Sequence, residues 1–187
     1  MNPLPVRYKE ETEGQFLERK SCFNRRTKTP KALALKKVSS EIAETLVAFA
    51  NADGGELAVG LDDDGTPSGL PYTEKQISRL IDIPTQRIRP ELSARHALYK
   101  TGRASVLVFE VGSSAVSQRT TAGKYLYRRN DQNVPMDAEH IAHLKSLKRE
   151  TLTEHAYVPD ATLDDLREDS IQVVSRKLGP GFSPKET

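Results

Sequence analysis

Leu35, Val38, Ile42, Leu46 and Phe49 recur at helical spacing, and the run stops at Asn51 to Gly55 before a short apolar stretch, Glu56 to Leu61, bounded by glycines. A helix with one apolar face has to lie on something, and a short apolar run between glycines has the form of a buried strand. The pattern therefore predicts a helix folded back by a tight turn onto the strand that follows it. Asn51, Gly54 and Gly55 can take the positive φ angles such a reversal demands. Asp62, Asp63, Asp64 and Gly65 then close the strand with three carboxylates at one sheet end; an ordinary acidic hairpin turn also accounts for them.

Around this unit, 187 residues with 36% hydrophobic content are enough for one core and a tail. No apolar run approaches the ~20 residues that span a bilayer, and the first residues lack the apolar centre of a signal peptide, which predicts a cytoplasmic protein with no membrane span. The single cysteine, Cys22, excludes an internal disulfide. With His96, His140, His143 and His155 scattered, no zinc-binding spacing remains, and these histidines read as structural or surface residues.

Charge is distributed unevenly. Arg19, Lys20, Arg25, Arg26, Lys28, Lys31, Lys36 and Lys37 fall between Arg19 and Ser40 without one Asp or Glu, on a chain whose net charge is only +2. Such a block can attract phosphates, or can be a solvated loop and helix face.

In chain order, residues 1–12 read as an arm. Strand alternation over Phe16 to Ser21 puts Phe16, Glu18 and Lys20 on one face and Leu17 and Arg19 on the other. Glu13, five residues before Glu18, joins them only if a new element begins at Gly14 or Gln15. Two carboxylates and a lysine at a strand suit metal-dependent phosphodiester cleavage, because carboxylates hold Mg²⁺ or Mn²⁺ and an ammonium offsets transition-state charge. A surface salt bridge gives the same spacing. Thr66 to Leu70 is the expected hairpin partner of the central strand, and Thr73 with Gln76 is a capping box for a helix through Ile81. Ile83 to Pro90 reads as a connector, and Val106 to Val111 as a strand paired with one near Ala97 to Lys100. Ser113 to Gly123 reads as a mobile surface loop. Lys124 to Arg129 forms a strand before a turn at Asn130 to Asn133, and Asp137 caps a helix through Lys148. Arg128 and Arg129 could bind phosphate and Tyr125 or Tyr127 stack on a base, or these residues could serve core and surface. Thr162 with Asp165 opens an amphipathic helix carrying Leu163, Leu166, Val174 and Leu178, followed by a flexible end from Gly179.

Glu13-x4-Glu18-x-Lys20, Phe49-Ala-Asn-Ala-Asp-Gly-Gly55, Val59-Gly-Leu-Asp-Asp63-Asp-Gly65 and Tyr127-Arg-Arg129 together resemble the Schlafen core domain, whose prokaryotic relatives are called AlbA-like DNA-binding domains. The resemblance covers about residues 8–149 and implies an α+β domain with a mixed, mainly antiparallel sheet flanked by helices, one Schlafen-type lobe. It divides the chain into an arm (1–12), the domain (13–149) and a C-terminal helix and tail (150–187). By the same resemblance Glu13, Glu18 and Asp63 hold a divalent metal, Mg²⁺ or Mn²⁺, with Lys20 beside them. No zinc is carried over. A groove built from two lobes implies a homodimer. Asn130 stands where many relatives have glycine and tolerates the left-handed conformation.

Two functions follow. One is a metal-dependent endoribonuclease acting on structured RNA such as tRNA, with Glu13, Glu18, Lys20 and Asp63 in the site. Arg19, Arg25, Arg26, Lys28, Lys31, Lys36, Lys37, Arg128 and Arg129 then grip the backbone. The other is a non-catalytic DNA- or RNA-binding module of a transcription regulator, in which the acids are salt-bridge partners. Nucleotide binding at Gly54-Gly55 is weaker, since no P-loop sequence is present.

Overall fold

The computed structural model describes residues 2–24 and 29–154. Arg25, Arg26, Lys28, the expected 162–178 helix and the end from Gly179 lie outside the described residues. Contacts divide the chain after Leu152, and the account below concerns the first unit. In order, the elements are α1 (Arg7–Glu10), β1 (Leu17–Lys20), β2 (Phe23–Asn24), β3 (Lys31–Ala32), α2 (Leu35–Asn51), β4 (Gly54–Val59), α3 (Glu74–Ile81), α4 (Ile83–Gln86) and β5 (Ile88–Arg89). They continue with β6 (Arg95–Thr101), β7 (Ala104–Gly112), β8 (Arg119–Thr120), β9 (Leu126–Arg129), β10 (Gln132–Pro135) and α5 (Ala138–Glu154).

Four strands make the main sheet in the order β1-β4-β7-β6, with β1 parallel to β4 and the other pairs antiparallel. The fold is therefore α+β with a mixed, mainly antiparallel sheet. Alternation along β4 and β7 sends Leu57, Val59, Leu107, Phe109 and Val111 to one face, where Val38, Ile42, Leu46 and Phe49 of α2 cover them. Ala58, Val106 and Val108 point the other way and pack with Leu4, Tyr8 and Leu17. Each fully buried aliphatic or aromatic side chain contributes about 1.5–3 kcal/mol, so the two faces hold the sheet in register from both sides.

The helix-to-strand reversal forms where it was expected, but only the glycines have positive φ there. Gly54 has φ +86, and a Cβ on it would stand 2.6 Å from the Val111 carbonyl oxygen, so the close approach of β4 to β7 requires glycine. Asn51 instead ends α2 and is buried at 3% exposure. Its side chain, not its backbone, matters: Oδ1 accepts from Gln118 N at 2.7 Å, and Nδ2 donates to the carbonyls of Gln118 at 2.9 Å and Leu126 at 2.8 Å.

That anchor corrects the reading of 113–123 as a mobile surface loop. Gln118 and Thr120 are buried, and β8 pairs with β5 inside the supposed connector at Ile83 to Pro90. Residues 1–12 are not a free arm either, since Leu4 and Tyr8 are buried and Leu4 N donates to Lys100 O at the edge of β6. Thr66 to Leu70 does not pair as a strand. Pro67 has no N–H to give a ladder, and a lone bridge from Leu61 to Pro67 remains, with Ser68 N and Gly69 N both donating to Gly60 O.

Other expectations hold. β6 and β7 form the predicted hairpin, Asn130 has φ 55 in the turn between β9 and β10, and Asp137 Oδ1 accepts from His140 N at the start of α5. Thr73 caps α3 in a full capping box. Thr73→Ala should cost about 1 kcal/mol in urea unfolding, and a loss no larger than that of an exposed mid-helix substitution would contradict the cap. Cys22 is fully buried, and that burial pushes its thiol up to about 12, so it stays protonated and unreactive.

Candidate nucleic-acid interface and acidic site

Strand β1 presents its side chains as alternation requires. Arg19 runs toward α1, donating from Nε to the Tyr8 carbonyl at 2.7 Å and from Nη2 to the Glu11 carbonyl. Glu18 and Lys20 point toward α2. Glu18 is 7% exposed and both of its oxygens are engaged: Oε1 meets Lys20 Nζ at 2.7 Å and Oε2 meets Arg128 Nη2 at 2.8 Å.

Arg128 is the centre of the arrangement. It has no exposed surface. Nε and Nη2 donate to the Gly14 carbonyl at 3.1 and 2.7 Å, Nη2 also reaches the Leu17 carbonyl at 3.3 Å, and Nη1 donates to Asn133 Oδ1 at 2.9 Å. Its guanidinium lies 4.9 Å from the centroid of the Phe49 ring. Gln15 adds a second stitch: Oε1 accepts from Asn130 N at 2.9 Å, while Nε2 donates to Asp53 Oδ2 at 3.1 Å. The turn of β9–β10 thus holds the segment that carries Glu13 and Glu18.

Glu13 is half-buried, and its Oε1 accepts from Arg19 N at 2.6 Å. Burial holds its carboxyl above the usual range, the charges of Glu18 and Asp63 push it the same way, and the Arg19 hydrogen bond opposes them. The three acids therefore share one locality, although they arise from β1, the segment before it and the turn after β4. Asp63 is exposed at that turn, where Gly65 N donates to Asp62 O and Asp64 Oδ1 accepts from Thr66 N. Gly65 has to be glycine here, because with φ +80 a Cβ would stand 2.1 Å from the Lys9 carbonyl oxygen.

A divalent ion would need oxygens from all three acids aimed at one point. Glu13 and Asp63 are near enough for the charge of one to act on the other, and Arg19 N already takes one Glu13 oxygen. Glu18 does not meet that need in this arrangement, because Lys20 and Arg128 occupy both of its oxygens. Among the described residues no group of three or more His, Cys, Asp or Glu side chains is placed to hold a metal.

Two positions expected to grip a nucleic-acid backbone are corrected. Arg19, at 4% exposure, and Arg128, at 0%, are tied to backbone carbonyls and Glu18 and cannot reach a phosphate. Lys31, Lys36, Lys37 and Arg129 are exposed. Lys37 shares a cavity of about 510 Å³ with Ser21, Phe23, Asn24, Leu33, Asp62 and Asp63. Arg129 lies on a different cavity. Gln15, Thr45 and Asn133 were not anticipated as site residues. Asn133 Nδ2 donates to Thr45 Oγ1 at 2.9 Å, linking the Arg128 clamp to α2.

This lobe, with its Glu-x-Lys strand buttressed by the Tyr-x-Arg hairpin, is of a known class. The chain belongs to the Schlafen, AlbA_2 family, whose model matches residues 13–137. Among solved structures it is similar to the DIP2311 protein from Corynebacterium diphtheriae, at 20% identity and a TM-score of 0.53, over 87% of this chain and 29% of that one. The chain thus spans under a third of that protein's length, and the likeness is one of fold. It is also similar to the N-terminal domain of a RecG-related protein from Nitrosomonas europaea, at 23% identity and a TM-score of 0.45, over 72% of this chain and 92% of that one. No curated protein matches the sequence. Among the described residues no helix is long and apolar enough to cross a membrane.

Proposed function

We propose that this Schlafen-family lobe binds the phosphate backbone of nucleic acid through the face bearing Lys31, Lys36 and Lys37. The observation that carries this reading is that the basic block keeps these three exposed, with one ion pair among them within the described residues, Lys37 to Glu41 at 3.8 Å. At that length the pair is weak and solvated, so it gives way readily to phosphate. Backbone contacts of this kind select shape over base sequence, and a groove that wraps structured RNA would take two copies of the chain. The test is binding of a labelled RNA duplex and a DNA duplex across a salt series. Replacing all three lysines by glutamine should lower the slope of log K against log salt by about 3, and an unchanged slope would remove this face from the interface.

A second reading, a metal-dependent endoribonuclease cutting structured RNA such as tRNA, is favoured by the electrostatic proximity of Glu13, Glu18 and Asp63 beside Lys20. It requires Lys20 to release Glu18 so that an oxygen faces a Mg²⁺ or Mn²⁺ ion held by Glu13 and Asp63. Adding Mn²⁺ to protein and tRNA should then give fragments that Glu13→Gln and Asp63→Asn abolish. Intact tRNA with wild-type protein leaves the lobe a binder.

A further inference from the structure

A cavity of about 510 Å³ separates the outer face of the β9–β10 hairpin from α5, and no part of the acidic site contributes to it. On β9, Leu126 and Arg128 turn inward and are buried, so Tyr127 and Arg129 share the opposite, exposed face. Tyr127 is 38% exposed. Val134, Met136 and Leu144 line the same cavity, with His140 and His143 along the helix side. Its lining is apolar and cationic, with no carboxylate among the lining residues. His140 is already held by Asp137 at 2.8 Å, whereas Arg129 has no ion-pair partner among the described residues.

A flat aromatic wall, an apolar floor and one uncommitted guanidinium on the same strand face suit a planar ring joined to an anion. The volume falls among those of small-ligand pockets, about 300–1,000 Å³. Such a ligand, on a lobe that binds nucleic acid, is a nucleotide whose base has left the duplex. We propose that this cavity takes one unpaired nucleotide, its base stacked on Tyr127 and its phosphate on Arg129. The inference rests on the nucleic-acid reading above but uses none of the lysines that carry that reading. Stacking tolerates any base, so the subsite senses unpairedness, not sequence.

The test uses the full chain and three labelled probes: an RNA duplex, the same duplex with an unpaired five-nucleotide overhang, and single-stranded RNA or DNA of the overhang sequence. Wild-type protein should prefer the overhang probe to the paired duplex. Tyr127→Ala should weaken overhang and single-strand binding by about tenfold and leave the paired duplex unchanged, Tyr127→Phe should bind as wild type, and Arg129→Gln should weaken the same two probes. Because Arg129 is exposed and has no ion-pair partner among the described residues, its variant reports on binding even if Tyr127→Ala perturbs the hairpin. Equal weakening on all three probes, or none, overturns the subsite. An oligomer in size-exclusion chromatography that Tyr127→Ala dissociates would assign the cavity to a second copy and also overturn it. Failure of the paired duplex to bind, with single-strand binding still sensitive to Tyr127, would sink the lysine face and leave this subsite standing.

Discussion

Arg128→Leu should destabilise the lobe by about 3–5 kcal/mol, a large loss for the removal of a single charge. Its guanidinium makes five hydrogen bonds with no exposed surface, one of them to Glu18. Leucine would leave the Gly14 and Leu17 carbonyls without this donor and Glu18 facing only Lys20. A buried pair is costly to assemble but costlier to halve, because the surviving charge remains out of water. The double variant Arg128→Leu/Glu18→Leu should therefore recover part of the loss in urea unfolding, giving a coupling energy of at least about 1 kcal/mol. If the two losses simply add, Arg128 acts through the carbonyls alone. Loss of the clamp should also free the segment from Gly14 to Leu17 that places Glu13 and Glu18, so nucleic-acid binding to the lysine face should survive better than any metal-dependent cleavage.

The sequence reads well wherever one element determines its own neighbours. The apolar period of α2, the face assignment of β1, the β6–β7 hairpin and the capping box at Thr73 each depend on residues a few positions apart, and each appears in the structure. What it conceals is the partner chosen across long separations. A position at a strand end makes Arg128 a candidate phosphate ligand or a partner of surface acids, yet its partners Glu18 and Gly14 lie 110 and 114 residues earlier. Arg19 stands first in a basic run, but strand alternation sends it to the face opposite Lys20, where the carbonyls of Tyr8, Glu11 and Asp63 accept from it. The small, polar composition of 113–123 suggested solvent exposure, and nothing local announces that an asparagine at the far end of α2 holds it down. The Glu13 carboxyl is raised mainly by burial, with the charges of Glu18 and Asp63 adding to it, and spacing along β1 alone does not bring Asp63, fifty positions later, beside it.

Asn51→Leu, nearly isosteric, should cost at least about 3 kcal/mol, because it strands a buried N–H and two buried carbonyls that each cost roughly 1–3 kcal/mol when left unpaired. The same position distinguishes a backbone role from a side-chain role. If asparagine were there to take a left-handed turn, Asn51→Gly would be neutral or stabilising. Because Asn51 closes α2 in helical geometry and works through its amide, glycine should be as harmful as leucine. Asn51→Asp should not rescue it, since a carboxylate keeps the acceptor for Gln118 N but points an oxygen at the Gln118 and Leu126 carbonyls in place of two N–H donors. Amide exchange gives the local readout: in Asn51→Leu and Asn51→Asp the Gln118 N–H should lose its protection while those of β4 and β7 keep theirs relative to global stability. Retained protection at Gln118 would mean that the loop is held by β5–β8 pairing without the asparagine. Lys148 Nζ donates to the Ser114 carbonyl at the near end of the same loop. Loosening the anchor therefore reaches α5 and the wall of the nucleotide cavity, and Asn51→Leu should weaken overhang binding more than it weakens binding of the paired duplex.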